Sequence, residues 1–367
     1  MKKILFLTSE LPPQPGGIGN HAHQLARYFS NHYEVTVIAD QRSEDGKEEQ
    51  EFDEQQDFSV SRVKRRRTLI LTYLKRFFIA RKLLKKNDIL LVSGKFPLWV
   101  GGVLSLSSNK PIVVIIHGSE VQLSNALARH LTDWSLKRLD HIIAVSRFTL
   151  QLIESLNLEA TTVIPNGFDL PKTKVESSYD RNNKAIPLQL ITVGNLTQRK
   201  GQHNVINVLP QLSQVYPDLI YHCVGIPTEI NRLEKLAKAL KVEQHVKFHG
   251  RVTEEEKFEL LNQADVFMML SEQTSTGDVE GFGIAILEAN AMGLPAVGSL
   301  NCGIEDAIED QLSGRLVNPH DVDQLVLAIK DIMNNQSQYS AQAKVWSEHF
   351  TWDRIGKKYL EVLEEFE

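Results

Sequence analysis

The sequence predicts an α/β protein made of two doubly wound parallel-sheet domains that face each other across a cleft. Three observations carry this. Short runs rich in Val, Ile and Leu recur at 3–7, 34–39, 89–92, 112–116, 141–145 and 162–164, with room for helices between several of them. A polar stretch at 171–187 interrupts the pattern, which restarts at 188–193 and continues at 220–224, 246–248, 266–269 and 296–298. The length of 367 residues is sufficient for two separate cores.

Each element follows from its own residues. Continuous apolar strands are what a parallel sheet covered on both faces needs, because side chains on both faces are buried. A helix is expected from His23 to Phe29 in the first half. In the second half helices are expected near 202–214, 229–240, 254–262, after Gly283, near 321–333 and near 338–348. The stretch 171–187, poor in apolar residues, reads as a linker. Ligands of doubly wound sheets bind beyond the carboxyl ends of the strands, so the loops after the strands are where chemistry is sought.

Composition narrows the class. Hydrophobic residues make up 42% and charged residues 24%, as in ordinary globular proteins. A net charge of −5 argues against a nucleic-acid binder. Cys223 and Cys302 lack metal-ligand spacing and read as reduced, buried thiols of a cytoplasmic protein. The first seven residues begin like a signal peptide, but Thr8, Ser9 and Glu10 end the apolar run. No run approaches the roughly 18 apolar residues that span a bilayer. Charge is unevenly placed. Residues 44–57 hold eight acids against Lys47 and read as a solvated, mobile loop. Residues 62–86 hold eleven Lys or Arg and no acid, interleaved with Ile70, Leu74, Phe77 and Phe78. This reads as a basic amphipathic helix, either lying on an anionic membrane or packed on a sheet with its cations reaching water.

The strand-end loops carry the candidate chemistry. Glu280-Gly281-Phe282-Gly283-Ile284 runs into an apolar helix that contains Glu288. Glycines let backbone N–H groups approach a ligand, and a helix starting there offers unpaired N–H groups and a positive dipole end to a phosphate. The two carboxylates suit hydroxyl groups instead. Together they fit a molecule with both, such as a nucleotide sugar. Gly16, Gly17 and Gly19 follow the first strand without the full dinucleotide fingerprint. His117-Gly118 ends the strand at 112–116, where a histidine can donate to a sugar hydroxyl. Arg199 and Lys200, in the loop Gly194-Asn195-Leu196-Thr197-Gln198-Arg199-Lys200-Gly201, sit where a diphosphate needs cations. His249-Gly250-Arg251-Val252 follows the strand at 246–248 and offers backbone groups to a base.

With these residues in hand, the chain resembles the glycosyltransferases of family 4 in the retaining GT-B superfamily. The matches are Gly16–Gly19, His117-Gly118, Pro165-Asn166-Gly167-Phe168-Asp169, Arg199-Lys200-Gly201, Glu280 with Glu288, and the ending Phe350-Thr351-Trp352-Asp353. The resemblance implies two Rossmann-like domains, an acceptor-side one at 1–182 completed by a returning helix at 350–367, and a nucleotide-sugar domain at 187–345. It implies donor diphosphate contacts from Gly17, Gly19, Asn195, Arg199 and Lys200. It gives Glu280 the donor sugar hydroxyls, and Phe282, Gly283 and Ile284 the path beneath the sugar and phosphates. Glu288 would hold the ribose, Arg251 and Val252 the base, and His117 the sugar near the reacting face. His117, Glu280 and Lys200 would be the catalytic set. Many members carry Arg directly after the glycine at position 194; here it is Asn195.

The implied reaction is front-face substitution with retention, from a UDP- or GDP-sugar to a hydroxyl of a glycan or lipid-linked acceptor. The leaving phosphate takes the acceptor's proton, and cations with a helix end stand in for a metal. No metal and no other cofactor is expected, and the chain is read as lacking the D-x-D signature of metal-dependent transferases, with none from Asp45 to Asp57. The basic segment 62–86 and the apolar 96–100 point to an acceptor at a membrane, with the protein peripheral on its cytoplasmic face. Two other readings share the fold. A sugar-nucleotide epimerase would show no acceptor dependence. A binding module would hold nucleotide without turnover.

Overall fold

The structure, a computed structural model, describes residues 1–14, 16–65, 69–169 and 187–366. They divide into two compact units, Met1–Gly167 with Trp352–Glu367, and Phe168–Thr351. The stretch expected to be a linker lies, apart from Pro187, outside the described residues.

The first unit runs β1 (Lys3–Thr8), α1 (Gly17–Ser30), β2 (Glu34–Gln41), α2 (Lys47–Asp53), β3 (Ser59–Lys64), α3 (Leu69–Leu84), β4 (Ile89–Ser93), α4 (Lys95–Leu104), β5 (Ile112–Ile116), α5 (Ala126–Leu136), β6 (His141–Ala144), α6 (Arg147–Gln151) and β7 (Thr161–Val163). Among the described residues its strands form one parallel sheet in the order β3-β2-β1-β4-β5-β6-β7. The chain winds outward from β1 to β3 and then restarts at β4, so β1 and β4 flank the topological switch point. Every residue of β4, β5 and β6 is buried, as their unbroken apolar runs require.

The second unit runs β8 (Gln189–Val193), α7 (Gln202–Leu212), β9 (Ile220–Val224), α8 (Ile230–Ala239), β10 (Val246–Gly250), α9 (Glu254–Asn262), β11 (Val266–Met269), α10 (Ile284–Ala291), β12 (Ala296–Ser299), β13 (Gly314–Val317), α11 (Val322–Asn334) and α12 (Gln336–Ser347). Its parallel sheet has the order β10-β9-β8-β11-β12-β13, with the switch between β8 and β11. The core joins Leu190, Tyr221, Val266 and Met268 of the sheet to Val205, Leu209 and Ile329 of the helices. The last helix, α13 (Trp352–Glu364), belongs to the first unit and buries Ile355, Gly356, Tyr359 and Leu363.

Three expectations need correction. The acidic run 44–57 is not simply a loop: α2 forms within it. Gly46, at φ 77°, opens the turn, and Glu49 is buried. The N–H groups of Arg42 and Ser43 donate to Glu49 at 2.8 Å each. Burial alone would raise this carboxyl, but the bonds from Ser43 and Arg42 hold it down at about 2. The basic segment 62–86 is not one helix. Its start is β3, an edge strand whose Ser-Val-Ser-Arg-Val-Lys alternation buries little on one face, and α3 begins only at Leu69. Arg66 and Arg67 lie outside the described residues. The apolar 96–100 stretch forms the start of α4, with Pro97, Leu98 and Val100 in the core.

Gly356 carries the docking of α13, because a Cβ there would lie 2.4 Å from the ring of Tyr28 on α1. Gly356→Val is expected to destabilise the protein by about 1–3 kcal/mol, the cost of overpacking. Chemical denaturation measures this directly.

Candidate active site

The second unit brings its strongest candidates together at the β8/β11 switch point. Beyond β8 the chain makes a 3₁₀ turn, Gln198–Lys200, ended by Gly201 at φ 73°. A Cβ on Gly201 would meet the carbonyl oxygen of Leu270 at 1.7 Å, so only glycine lets this turn pack against the end of β11. The turn aims Arg199 and Lys200 at Glu280, which is buried. Lys200 Nζ lies 2.7 Å from Glu280 Oε2, and Arg199 bonds the same oxygen. The Arg199 Nε also lies 3.2 Å from Asp278. The N–H of Gly303 donates to the carbonyl of Glu280 at 2.9 Å, which fixes the carboxylate from behind.

Electrostatics follow from this packing. Burial works to raise Glu280, but Lys200 and Arg199 outweigh it and hold the carboxyl below its ordinary value. The group is therefore ionised at neutral pH and accepts hydrogen bonds. Gly283, at φ 93°, is the residue before α10, and no side chain caps that helix. Its first amides are therefore open to an anion. Phe282 turns inward and packs 5.8 Å from Phe350, while Ile284 is half-buried.

Glu288, one turn into α10, is held differently. Lys257 of α9 donates to both its oxygens at 3.2 Å and also to Glu254 at 2.8 Å. Burial outweighs the pull of Lys257 and raises Glu288. Arg251 is exposed and Val252 half-buried just beyond β10. Asn195 is exposed, and its carbonyl accepts from Gln202 at 3.1 Å. Arg199 already balances two carboxylates, so it is not a free replacement for an arginine at position 195.

A second network at the same strand end has no signal in the motifs. Glu272 accepts from Gln198 at 2.9 Å and Asn204 at 3.3 Å, and lies 3.3 Å from His203 and 3.5 Å from His320. It ties the turn before α7 to the end of β11. The expectation that the chain lacks a D-x-D triplet needs correction, since Asp321-Val322-Asp323 has that spacing, but Asp321 caps α11 by accepting from Gln324, and Asp323 accepts from Gln211 at 2.9 Å. Among the described residues no three His, Cys, Asp or Glu side chains are grouped to hold a metal ion.

In the first unit Gly17 opens α1, and no side chain caps it. Gly19 packs tightly, since a Cβ there would lie 3.2 Å from Glu10 Cβ. His117 is buried at the end of β5 and shares a hydrogen bond with Ser93 at the end of β4, at 3.0 Å. Its ring stands edge-on to that of His21, 5.2 Å away. Burial holds His117 down at about 4, so it stays neutral at physiological pH. The N–H of His117 donates to Glu120 at 3.0 Å. Burial pushes that carboxyl up to about 7.

The His117 shift sets a pH dependence. Its folded value of about 4 lies below the ordinary 6.5, so below 6.5 the unfolded chain takes up a proton that the folded protein refuses. Stability is full above 6.5 and falls as pH drops toward 4, by at most about 3 kcal/mol. His21, also lowered by burial, acts with the same sign, and Glu120 with the opposite one. His117→Gln is expected to flatten the slope of melting temperature against pH between 6.5 and 4. An unchanged slope would refute the buried neutral histidine.

Residues 15–172 match the family model described as Glycosyltransferase Family 4, and residues 177–348 match Glycosyl transferases group 1. The GDP-mannose-dependent alpha-(1-6)-phosphatidylinositol monomannoside mannosyltransferase of Mycolicibacterium smegmatis is 27% identical, over 98% of each chain. A putative colanic acid biosynthesis glycosyltransferase, WcaL, of Escherichia coli is 28% identical over 57% of this chain and 52% of that protein. The crystal structure of HepE from Anabaena with UDP and glucose superposes with a TM-score of 0.80 at 22% identity, over the full length of both chains. Sucrose-phosphate synthase of Thermosynechococcus elongatus superposes at 0.82 with 19% identity, over 100% of this chain and 99% of that one. The two structural likenesses speak for the fold.

Proposed function

We propose a specific reaction for this chain, which belongs to the group 1, family 4 glycosyltransferases and has their GT-B fold: it transfers mannose from GDP-mannose, with retention and without a metal, to a hydroxyl of a lipid-linked acceptor. The observation that carries the transfer chemistry is the buried Glu280 held ionised between Lys200 and Arg199. A carboxylate so held accepts the hydroxyls of a donor sugar. Lys200 and the uncapped start of α10 stabilise the charge that grows on the leaving diphosphate, while Arg199 keeps Glu280 ionised.

The remaining roles follow the same chemistry. The amides of Gly17 and Gly19 lend N–H groups to the diphosphate, with Asn195 as a neutral donor. Gly283 and Ile284 lead the phosphate to the amides of α10, over the packed ring of Phe282. Glu288, anchored by Lys257, accepts the ribose hydroxyls. Arg251 and Val252 flank the base. Neutral His117 donates to a sugar hydroxyl near the reacting carbon. In front-face substitution the bond from the anomeric carbon to the leaving phosphate oxygen breaks as the acceptor oxygen arrives on the same side. The leaving phosphate takes the acceptor's proton.

GDP-mannose is favoured because the mannosyltransferase of Mycolicibacterium smegmatis, similar over nearly the whole chain, is named for it. A membrane acceptor is favoured by α3. Leu71, Leu74 and Phe78, at one-face spacing, are 48%, 50% and 62% exposed, beside exposed Lys75, Arg81 and Lys82. That face suits peripheral contact with an anionic bilayer. Among the described residues no helix is long and apolar enough to cross one.

Nucleotide release from a panel of GDP- and UDP-sugars in EDTA, with and without membrane lipid extract, tests the reading. Release from GDP-mannose that depends on lipid is the expected result. Release without acceptor dependence would favour an epimerase, and binding without release a silent module. In the same assay Glu280→Ala should raise the barrier by at least ~2.7 kcal/mol, about a hundredfold in rate. Replacing Leu71, Leu74 and Phe78 with Ser should weaken binding to anionic vesicles, and unchanged binding would remove α3 from the account.

A further inference from the structure

Three side chains on neighbouring strands of the second unit form a hydrogen-bonded chain that has no part in the donor contacts described above. Gln189 opens β8, His222 lies in β9 and His249 near the end of β10. His222 Nε2 lies 2.7 Å from Gln189 Oε1, and His222 Nδ1 lies 2.9 Å from His249 Nε2. The two imidazole rings stack, with centres 5.1 Å apart and planes 23° from parallel. All three residues are half-buried.

The protons of this chain are fixed by its bonds. The Gln189 amide N–H donates to the carbonyl of Pro187 at 2.9 Å, so the amide oxygen faces His222 and accepts. His222 therefore has a proton on Nε2. Burial, aided by His249 and Lys247, holds His222 down at about 4, so near neutral pH its ring has that proton alone. Its Nδ1 is then an acceptor, and His249, lowered by burial and by Lys247, donates from Nε2. No other neutral arrangement satisfies both bonds. The far end of the chain is the start of the loop after β10. His249 is the extra residue of a β-bulge, since Phe248 pairs with Cys223 and Gly250 with Val224. Bulges end pairing and re-aim side chains, often beside active sites. Gly250 follows at φ 70°, and its carbonyl accepts from the Gly225 N–H at 2.9 Å. Arg251 and Val252 leave the strand from this anchored point. Thr253 then opens α9 with a capping box, and Lys257 on that helix holds Glu288.

We propose that Gln189, His222 and His249 are positioning residues for the nucleoside half of the donor: they hold the bulge at His249, and through it Arg251 and Val252 at the base and α9, with Lys257 and Glu288, at the ribose. This rests on the reading of the chain as a nucleotide-sugar transferase with those contacts, and adds what sets its choice of base. A loop held by a directed chain offers its groups to the base in one arrangement, which favours one base over another. Released from the chain, the loop adapts to either and binds both less well.

Calorimetric titration of the full chain with GDP, UDP and GDP-mannose tests the assignment. His249→Leu and Gln189→Leu should each weaken the more tightly bound of GDP and UDP about fivefold, the scale of one hydrogen bond, and narrow the preference between them. The affinity that the mannosyl group adds over GDP should stay at its wild-type value. His249→Gln, whose amide N–H replaces the imidazole Nε2–H, should bind as the wild type does. Nitrogen-resolved NMR spectra of the wild-type histidine rings should show the proton on Nε2 of both His222 and His249. Leu variants that bind like the wild type, a His249→Gln variant as weak as His249→Leu, or a proton on Nδ1 of His222 overturns the proposal. The same titrations separate the two readings: nucleotide binding that the Leu variants leave unchanged overturns this inference alone, and a wild type that binds neither nucleotide overturns the transferase reading as well.

Discussion

In the proposed reaction the donor-side chemistry depends on one buried ion cluster, the carboxylate of Glu280 held by Lys200 and Arg199. Removing a carboxylate from water costs several kcal/mol, and attraction to a partner repays it only with close geometry and further bonds. Here two cations share one oxygen, Asp278 takes the other side of Arg199, and a backbone amide fixes the loop. The arrangement leaves Glu280 charged in a low-dielectric place, where its hydrogen bonds to hydroxyls are strong. In the proposed reaction it also holds Lys200 in position before a diphosphate arrives. Such preorganisation lets charge stabilisation act without rearrangement during the reaction.

The parallel sheet explains why these groups meet. In each unit the chain winds outward from its first strand and then restarts beside it, which opens a crevice at the carboxyl ends. In the second unit the crevice gathers the turn after β8 and the long loop after β11. In the first it gathers the ends of β1, β4 and β5, where His117, Ser93 and Glu120 lie together. The strands supply rigid positions, and the loops supply the chemistry. The two units differ in how they handle charge. Glu280 is kept ionised by cations, whereas Glu120 has none that outweighs its burial and is raised to about 7.

Much of this was legible in the residues. Runs such as Ile112–Ile116, short and β-branched, read as strands buried on both faces, and they place His117 at a strand end. Arg199, Lys200 and Glu280 were legible because turn glycines and charged residues stand directly after such strands. Elements whose burial is one-sided or brief were not. β3 alternates Ser, Val and basic residues, β13 spans only Gly314–Val317, and α2 hides a buried Glu49 inside an acidic run. The same blindness affected single side chains. Arg76 reads as one cation among eleven, yet it is buried against Asp40. Lys257 anchors Glu288 from another helix, thirty-one residues away in sequence, and no periodicity links the two. Local pattern tells which face of an element is apolar; pairing between distant elements is decided by the tertiary fold.

The most direct measurement is calorimetric titration of wild type and Glu280→Gln with GDP and with GDP-mannose. If the ion cluster holds Glu280 for the donor sugar, the affinity that the mannosyl group adds over GDP disappears in the variant, while GDP itself still binds. Equal loss of affinity for GDP and GDP-mannose, or no loss for either, would contradict the account.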